Sequence, residues 1–246
     1  MATRRTYGSY NDGCASAHAL DLIGERWALV VVRELILGPK RFGDLQRDVL
    51  GIGPGVLSRR LQELEESGIV VRRTLPRPAD VTVYDLTEWG RELEDINAAL
   101  SRWAVRSARL PIEADMSPDT LVLAMRAHAR PAPAGEPTRT VGLGLSDSRT
   151  DGHEPVEYLA TISPNGTTVA KQPIPHDVDA RVRATTLAWK AVVIGGAPIT
   201  SGAAVAVAGD TAAVHALVEA TTLQAPAGQP GRESRQPARP PRTPQA

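Results

Sequence analysis

The sequence predicts an α+β chain in two parts, a helical part closed by one β-hairpin and then a part that mixes strands with helices. Three observations predict it. Up to about Leu110 the apolar residues mostly recur every three or four positions, with one interruption where they alternate. Beyond residue 111, alternating segments are separated by helical ones. The first part also holds three of the four tryptophans and the only phenylalanine, whereas the second is rich in Ala, Val, Gly and Thr. A length of 246 residues suits two domains with a sizeable core in each.

In the first part, Arg26 to Leu37 is apolar almost all round, as a buried central helix would be, and Gly38-Pro39 stops it. Phe42, Leu45 and Val49 mark one face of a short helix. Leu50-Gly-Ile-Gly53 makes a tight turn, and Pro54 suits the first position of the next helix. Leu57, Leu61 and Leu64 line one face of that helix, Pro54 to Ser67, and Gly68 caps its end. Ile69 to Leu75 and Val81 to Leu86 flank the turn Pro76-Arg-Pro-Ala-Asp80 as a β-hairpin. Thr87 caps a long helix from about Glu88 to Arg109, with Leu93, Ile96, Leu100 and Trp103 spaced three, four and three. Two helices joined by a short glycine-containing turn and followed by a hairpin make a winged helix-turn-helix.

In the second part, Ser117-Pro-Asp begins a helix by capping logic. Thr140 to Leu145 alternates as a strand, and Pro164-Asn-Gly166 joins Val156–Ile162 to Thr167–Lys171 as a hairpin. Ala180 to Thr185 is a further strand leading into a helix through Trp189 to Ile194. Ala203 to Ala208 alternates, and Asp210 caps a last helix. The expected domains are residues 1–110, the winged helix-turn-helix, and 111–226, mixed α/β. A tail, 227–246, holds five prolines and four arginines and too little apolar surface to order.

Composition narrows the function. No apolar run approaches the ~20 residues of a membrane span, and the N-terminus carries no hydrophobic signal region. The expectation is a cytoplasmic protein with no membrane partner. Cys14 is the single cysteine, which excludes an intrachain disulfide and a cysteine-based zinc site. The five histidines make no metal-ligand spacing, so no metal and no cofactor are expected. Gly-x-Ser-x-Gly, Walker and Gly-x-Gly-x-x-Gly patterns are absent, and the chain reads as a non-enzyme.

Lys+Arg and Asp+Glu each number 28, so any nucleic-acid binding must come from a local arrangement of arginines. With Leu57, Leu61 and Leu64 inward, the helix from Pro54 presents Ser58, Arg59 and Gln62 outward, with Arg60 on the flank. Arginine suits guanine and glutamine suits adenine in the major groove, so Ser58, Arg59 and Gln62 are the candidate base contacts. Arg60, with Arg72, Arg73 and Arg77 on the hairpin, would hold phosphates. An ordinary solvated face would also carry arginines balanced by glutamates. Basic pairs on both the second helix and the adjacent hairpin favour double-stranded DNA. The seam Leu93, Ile96, Leu100 and Trp103 could close its own core, but four turns of it leave surplus surface for a homodimer.

These residues carry a resemblance. Cys14, Ala19-Leu-Asp-Leu-Ile-Gly-Glu-Arg-Trp27, Gly38-Pro-Lys-Arg-Phe-Gly-Asp-Leu45, Val56-Leu-Ser-Arg-Arg-Leu-Gln-Glu-Leu64 and Tyr84-Asp-Leu-Thr-Glu-Trp-Gly90 resemble the HxlR-type winged helix-turn-helix regulators over residues 14 to about 105. The resemblance implies a bacterial transcription factor that binds palindromic operators as a homodimer, with its terminal helices at the interface. Gly53 stands where the family usually has a capping Ser. The resemblance also suggests that Cys14 senses oxidants or electrophiles; a small, half-buried structural cysteine is the alternative. Asp179 to Gly195 and Val205 to Leu217 are similar to sterol-carrier-protein-like domains, which enclose an apolar cavity. That similarity implies a small apolar effector, with Trp189 either facing the cavity or plain core. The competing function is a carrier of lipid-like molecules whose helical domain binds a protein partner.

Overall fold

The computed structural model describes residues 9–150, 154–199 and 204–223. Its first part comprises α1 (Ala15–Ile23), α2 (Ala28–Leu35), α3 (Phe42–Asp48), α4 (Pro54–Glu66), β1 (Val70–Thr74), β2 (Thr82–Leu86), α5 (Glu88–Arg91) and α6 (Leu93–Ala104). The central helix buries Val31, Val32 and Leu35, and around it close Leu45 of α3, Leu57, Leu61 and Leu64 of α4, and Ile69, Val70 and Leu86 of the hairpin. β1 and β2 pair antiparallel from Val70↔Leu86 to Thr74↔Thr82, and Lys40 adds a bridge to Tyr84 on the outer edge. The winged helix-turn-helix of the sequence is therefore present.

Two expected helices are shorter than the periodicity suggested. Trp27 takes a left-handed backbone, φ 80°, so α2 starts after it rather than at Arg26. The helix expected from Glu88 to Arg109 breaks at Glu92, whose N–H bonds the Trp89 and Gly90 carbonyls in a tightened turn. It then unwinds after Ala104, where Arg106 and Ser107 bond carbonyls only three residues back. Gly90 fixes where this unit meets the hairpin: a Cβ there would stand 2.1 Å from the Ile69 carbonyl oxygen.

The second part comprises α7 (Pro118–Ala127), β3 (Arg139–Ser146), β4 (Val156–Ser163), β5 (Gly166–Lys171), β6 (Ala180–Thr185), α8 (Thr186–Val193), β7 (Val205–Gly209) and α9 (Thr211–Thr221). The strands form one sheet in the order β5-β4-β3-β6-β7, with β3 and β6 parallel and the other pairs antiparallel. Ser117, Thr185 and Asp210 each accept a hydrogen bond from the first turn of α7, α8 and α9, as their positions ahead of apolar stripes require. Val141, Leu143 and Leu145 of β3 alternate inward against Trp189 of α8 and Val214 and Leu217 of α9. Ala203 and the tail 227–246 lie outside the described residues. Among the described residues no helix is long and apolar enough to cross a membrane.

The two cores interlock through α7. Its Leu123 joins the core of the winged helix, while Leu37, just after α2, packs against both cores. Beside this seam lies a buried ion cluster. Lys40 Nζ reaches Glu34 Oε2 at 2.9 Å, Asp48 Oδ2 at 2.8 Å and Asp119 Oδ2 of α7 at 2.8 Å. Ser117 and Thr120 donate to Glu34, and Tyr158 and Lys171 donate to Asp119. Burial opposes the charge of Lys40, yet the three carboxylates hold its ammonium above the ordinary lysine range. Burial likewise pushes Glu34 and Asp119 up, but the facing cations keep both below the usual carboxylate range.

Candidate nucleic-acid interface

Helix α4 owes its orientation to Leu57, Leu61 and Leu64, each no more than 1% exposed. They turn Ser58, Arg59 and Gln62 to solvent. Arg59 Nε donates to Glu63 at 2.9 Å and Gln62 Nε2 to Glu66 at 2.9 Å, so one-turn pairs hold both side chains along the helix. Both pairs are exposed and would exchange readily for a nucleic-acid partner. The helix begins at Gly53 without a side-chain cap, and Pro54 lacks an N–H. The N–H groups of Gly55 and Val56 therefore stay open at the end that would meet a phosphate.

Arg60 departs from the expected phosphate role. It is only 9% exposed, because the helix turns it toward Glu25 and Glu63, which it meets at 3.4 and 2.5 Å. A one-residue step from Arg59 is about 100° around a helix, enough to carry the side chain off the open face.

On the wing, Arg72 and Arg77 are exposed. Arg73 points to the other side of β1, where its Nε and NH2 donate to Asp85 at 3.0 and 2.6 Å, and Arg91 donates to the same carboxylate at 2.7 Å. Burial would raise Asp85, but these bonds and the Leu86 N–H hold its carboxyl below the usual range. Arg73 keeps 44% of its side chain exposed, so Asp85 orients it without hiding it. Arg41, exposed at the start of α3, is a further cation on the same helix-turn-helix, beyond those its sequence pattern singles out. Its signal was the adjacent Lys40-Arg41 pair ahead of Phe42.

The expected dimer seam splits. Leu93 packs against the winged-helix core, whereas Ile96 and Leu100 are 44% exposed and Trp103 68%. α7 covers the other side of α6, with an Arg126–Glu94 ion pair at 2.5 Å and a bond from Arg102 to the Ala127 carbonyl. Three large apolar side chains on one exposed stripe are surplus to this chain's own packing.

Cys14 is exposed at the start of α1 with its Sγ 3.0 Å from the Ser16 hydroxyl. Hydrogen bonds from that hydroxyl and from the Ser16 and Ala17 N–H groups hold its thiol below the ordinary range. Trp189 is fully buried among β3, α7 and α9 side chains, and its Nε1 has no partner among the described residues. It does not line the cavities around Trp27, Arg130 or Lys40. Among the described residues no cluster of His, Cys, Asp and Glu could hold a metal.

A family model described as HxlR-like helix-turn-helix matches residues 22–110. The chain is similar to the HTH-type transcriptional regulator YvaP of Bacillus subtilis, 35% identical over 86 residues that span 35% of this chain and 80% of that protein. It is similar to YodB of the same organism, 36% identical over 35% of this chain and 77% of that protein. YybR, also of Bacillus subtilis, is 33% identical over 103 residues, 42% of this chain and 82% of that protein. The solved structure of reduced YodB covers 40% of this chain and 97% of its own, with a TM-score of 0.36 at 32% identity.

Proposed function

Because the chain belongs to the HxlR-like helix-turn-helix family, we propose that it is a cytoplasmic, sequence-specific transcriptional regulator that binds a palindromic operator as a homodimer. The observation that carries this reading is the open face of α4: Ser58, Arg59 and Gln62 lie outward beside a wing whose Arg72 and Arg77 are also exposed. In this reading α4 enters the major groove and its first turns read base edges. Arg59 and Gln62 exchange their glutamate partners for bases, while Arg72, Arg73 and Arg77 hold the backbone. Ile96, Leu100 and Trp103 pair with their copies across a twofold axis.

Residues 1–110 then form the DNA-binding and dimerisation domain. Residues 111–226 form an effector domain of sterol-carrier-like kind, and modification of the exposed Cys14 thiol is a second input. Any effector shifts DNA binding only as far as its affinities for the two states differ.

The deciding experiment is a titration of the purified chain against duplex DNA from around its own gene, across a salt series. Binding that outcompetes bulk DNA and weakens steeply with salt is expected. Binding that bulk DNA removes equally would overturn the reading. Arg59→Ala should cost about 1–3 kcal/mol on the operator and far less on bulk DNA. Trp103→Asp should dissociate the dimer by sedimentation, with a loss of roughly 2 kcal/mol or more.

A further inference from the structure

A cavity of about 410 Å³ lies where the two parts meet, within the range of small-molecule sites. The winged helix lends it Trp27 and Val30 of the α2 region and Ala104 of α6; the second part lends it Met116, Ala124 and Ile194. That lining is mainly apolar, and Trp27, at its edge, is the residue with the left-handed backbone. A bulky side chain held there costs of order 1–3 kcal/mol, a cost that gathers at ligand sites.

The charges around the cavity are unequally satisfied. Asp48 is tied to Lys40 and Arg47, and Arg149 to Asp147. Asp115 accepts from the Ser148 hydroxyl at 2.6 Å and the Met116 N–H at 2.7 Å. Lys190 is different. It is 5% exposed, and its Nζ donates to the carbonyl oxygens of Ile112 and Ala114. Among the described residues no carboxylate stands within 4.0 Å of it, although every other buried cation on this seam has one. Two neutral carbonyls leave one ammonium proton of this buried side chain without a partner, while Asp115, which lines the same cavity, is held by neutral donors alone. A bound anion would relieve it.

We propose that this cavity is a binding site for one small amphipathic monocarboxylate, whose apolar body fills the lining from α2, α6 and α7 and whose carboxylate meets Lys190. The inference deepens the regulator reading by giving the effector a chemical class and a place. It places that effector between the two parts rather than inside the second core around Trp189. It also explains how occupancy would be felt: Ala104 belongs to α6, the same helix that exposes Ile96, Leu100 and Trp103.

The test is calorimetric titration of the full chain, without DNA, with decanoate and with 2-naphthoate, each compared with its primary amide. At least one acid should bind once per chain, at least tenfold tighter than its amide. Lys190→Met should erase that preference while leaving the amide's affinity within about twofold, which a merely structural lysine would not do. Ala104→Trp, which fills the cavity, should abolish binding of both forms. Absence of saturable binding by both acids, equal affinities of acid and amide, a preference that survives Lys190→Met, or binding that survives Ala104→Trp would each overturn the site. The acid–amide comparison on the unaltered chain decides even where a variant does not fold. Operator binding is measured separately, so its absence would sink the regulator reading while the titration still decides the site.

Discussion

Two ion clusters in this chain use the same chemistry in opposite settings. On the wing, Asp85 is shared by Arg73 and Arg91, whose side chains remain 44% and 49% exposed. At the joint, Lys40 is shared by Glu34, Asp48 and Asp119, and none of the four side chains is more than 9% exposed. In the first cluster one carboxylate orients two cations that solvent still reaches. In the second, one ammonium bridges three buried carboxylates, and Arg33, Arg47 and Lys171 supply further positive charge from the rim. The wing cluster therefore presents charge, and the joint cluster confines it. Removing one partner should be nearly harmless in the first and severe in the second.

The sharpest way to break the contrast is Lys40→Met. The variant keeps the volume of the side chain and its backbone bridge to Tyr84, but leaves Glu34, Asp48 and Asp119 without their common cation. Lys171 and the Tyr158 hydroxyl still hold Asp119, whereas Glu34 keeps Arg33 and two hydroxyls. A loss of about 3–5 kcal/mol in urea unfolding is expected, as for a buried pair with one partner removed. A loss below about 1 kcal/mol would mean that water enters the joint and that the two clusters are alike.

Acid sharpens it next. Glu34 and Asp119 have folded pKa values below their unfolded ones, near 4.3 and 3.9. Their contribution is complete above about pH 5 and is lost as the pH falls through the lowered folded values. Lys40, raised, contributes fully below its unfolded value near 10.4, so it adds no slope on the acid side. The unaltered chain should lose stability steadily below about pH 4. In Lys40→Met the buried carboxylates repel each other, so stability should rise on mild acidification from pH 7 to about 5. Unfolding curves at a series of pH values read the sign directly, and an acid slope identical in both proteins would refute the account of the joint.

The joint was also where the sequence was least legible. The winged helix could be read because its apolar spacing, turn residues and hairpin each pointed the same way within about ninety residues. The second part's strands and helices were legible from alternation and caps, among them Ser117 and Asp210. Lys40, Asp48 and Asp119 carry no such pattern: they lie on a loop and two helices far apart in sequence, and a charged residue in isolation reads as solvated. The burial of Arg60 is illegible for the related reason that the leucines of α4 define only its inward face. Glu25, which helps turn Arg60 inward, comes from another element. The cavity at the seam is illegible too, because tertiary docking creates it, whereas Trp189 stands out in the sequence only through the resemblance to sterol-carrier-protein-like domains.

The smallest expected effect lies on the wing and is the most informative about function. Arg73→Gln removes one of two cations from Asp85, but Arg91 and the Leu86 N–H stay bonded to that carboxylate. Stability should fall by about 0–1 kcal/mol, as for an exposed pair. If Arg73 also holds a phosphate, the same substitution should weaken binding to operator and bulk DNA alike, and should reduce the slope of log K against log salt by about one per chain. A change in that slope with unfolding left nearly unmoved would establish that the wing cluster positions charge for DNA. An unfolding loss comparable with that of Lys40→Met, and an unchanged salt slope, would instead make Asp85 a second structural lock and leave Arg72 and Arg77 as the wing's phosphate contacts.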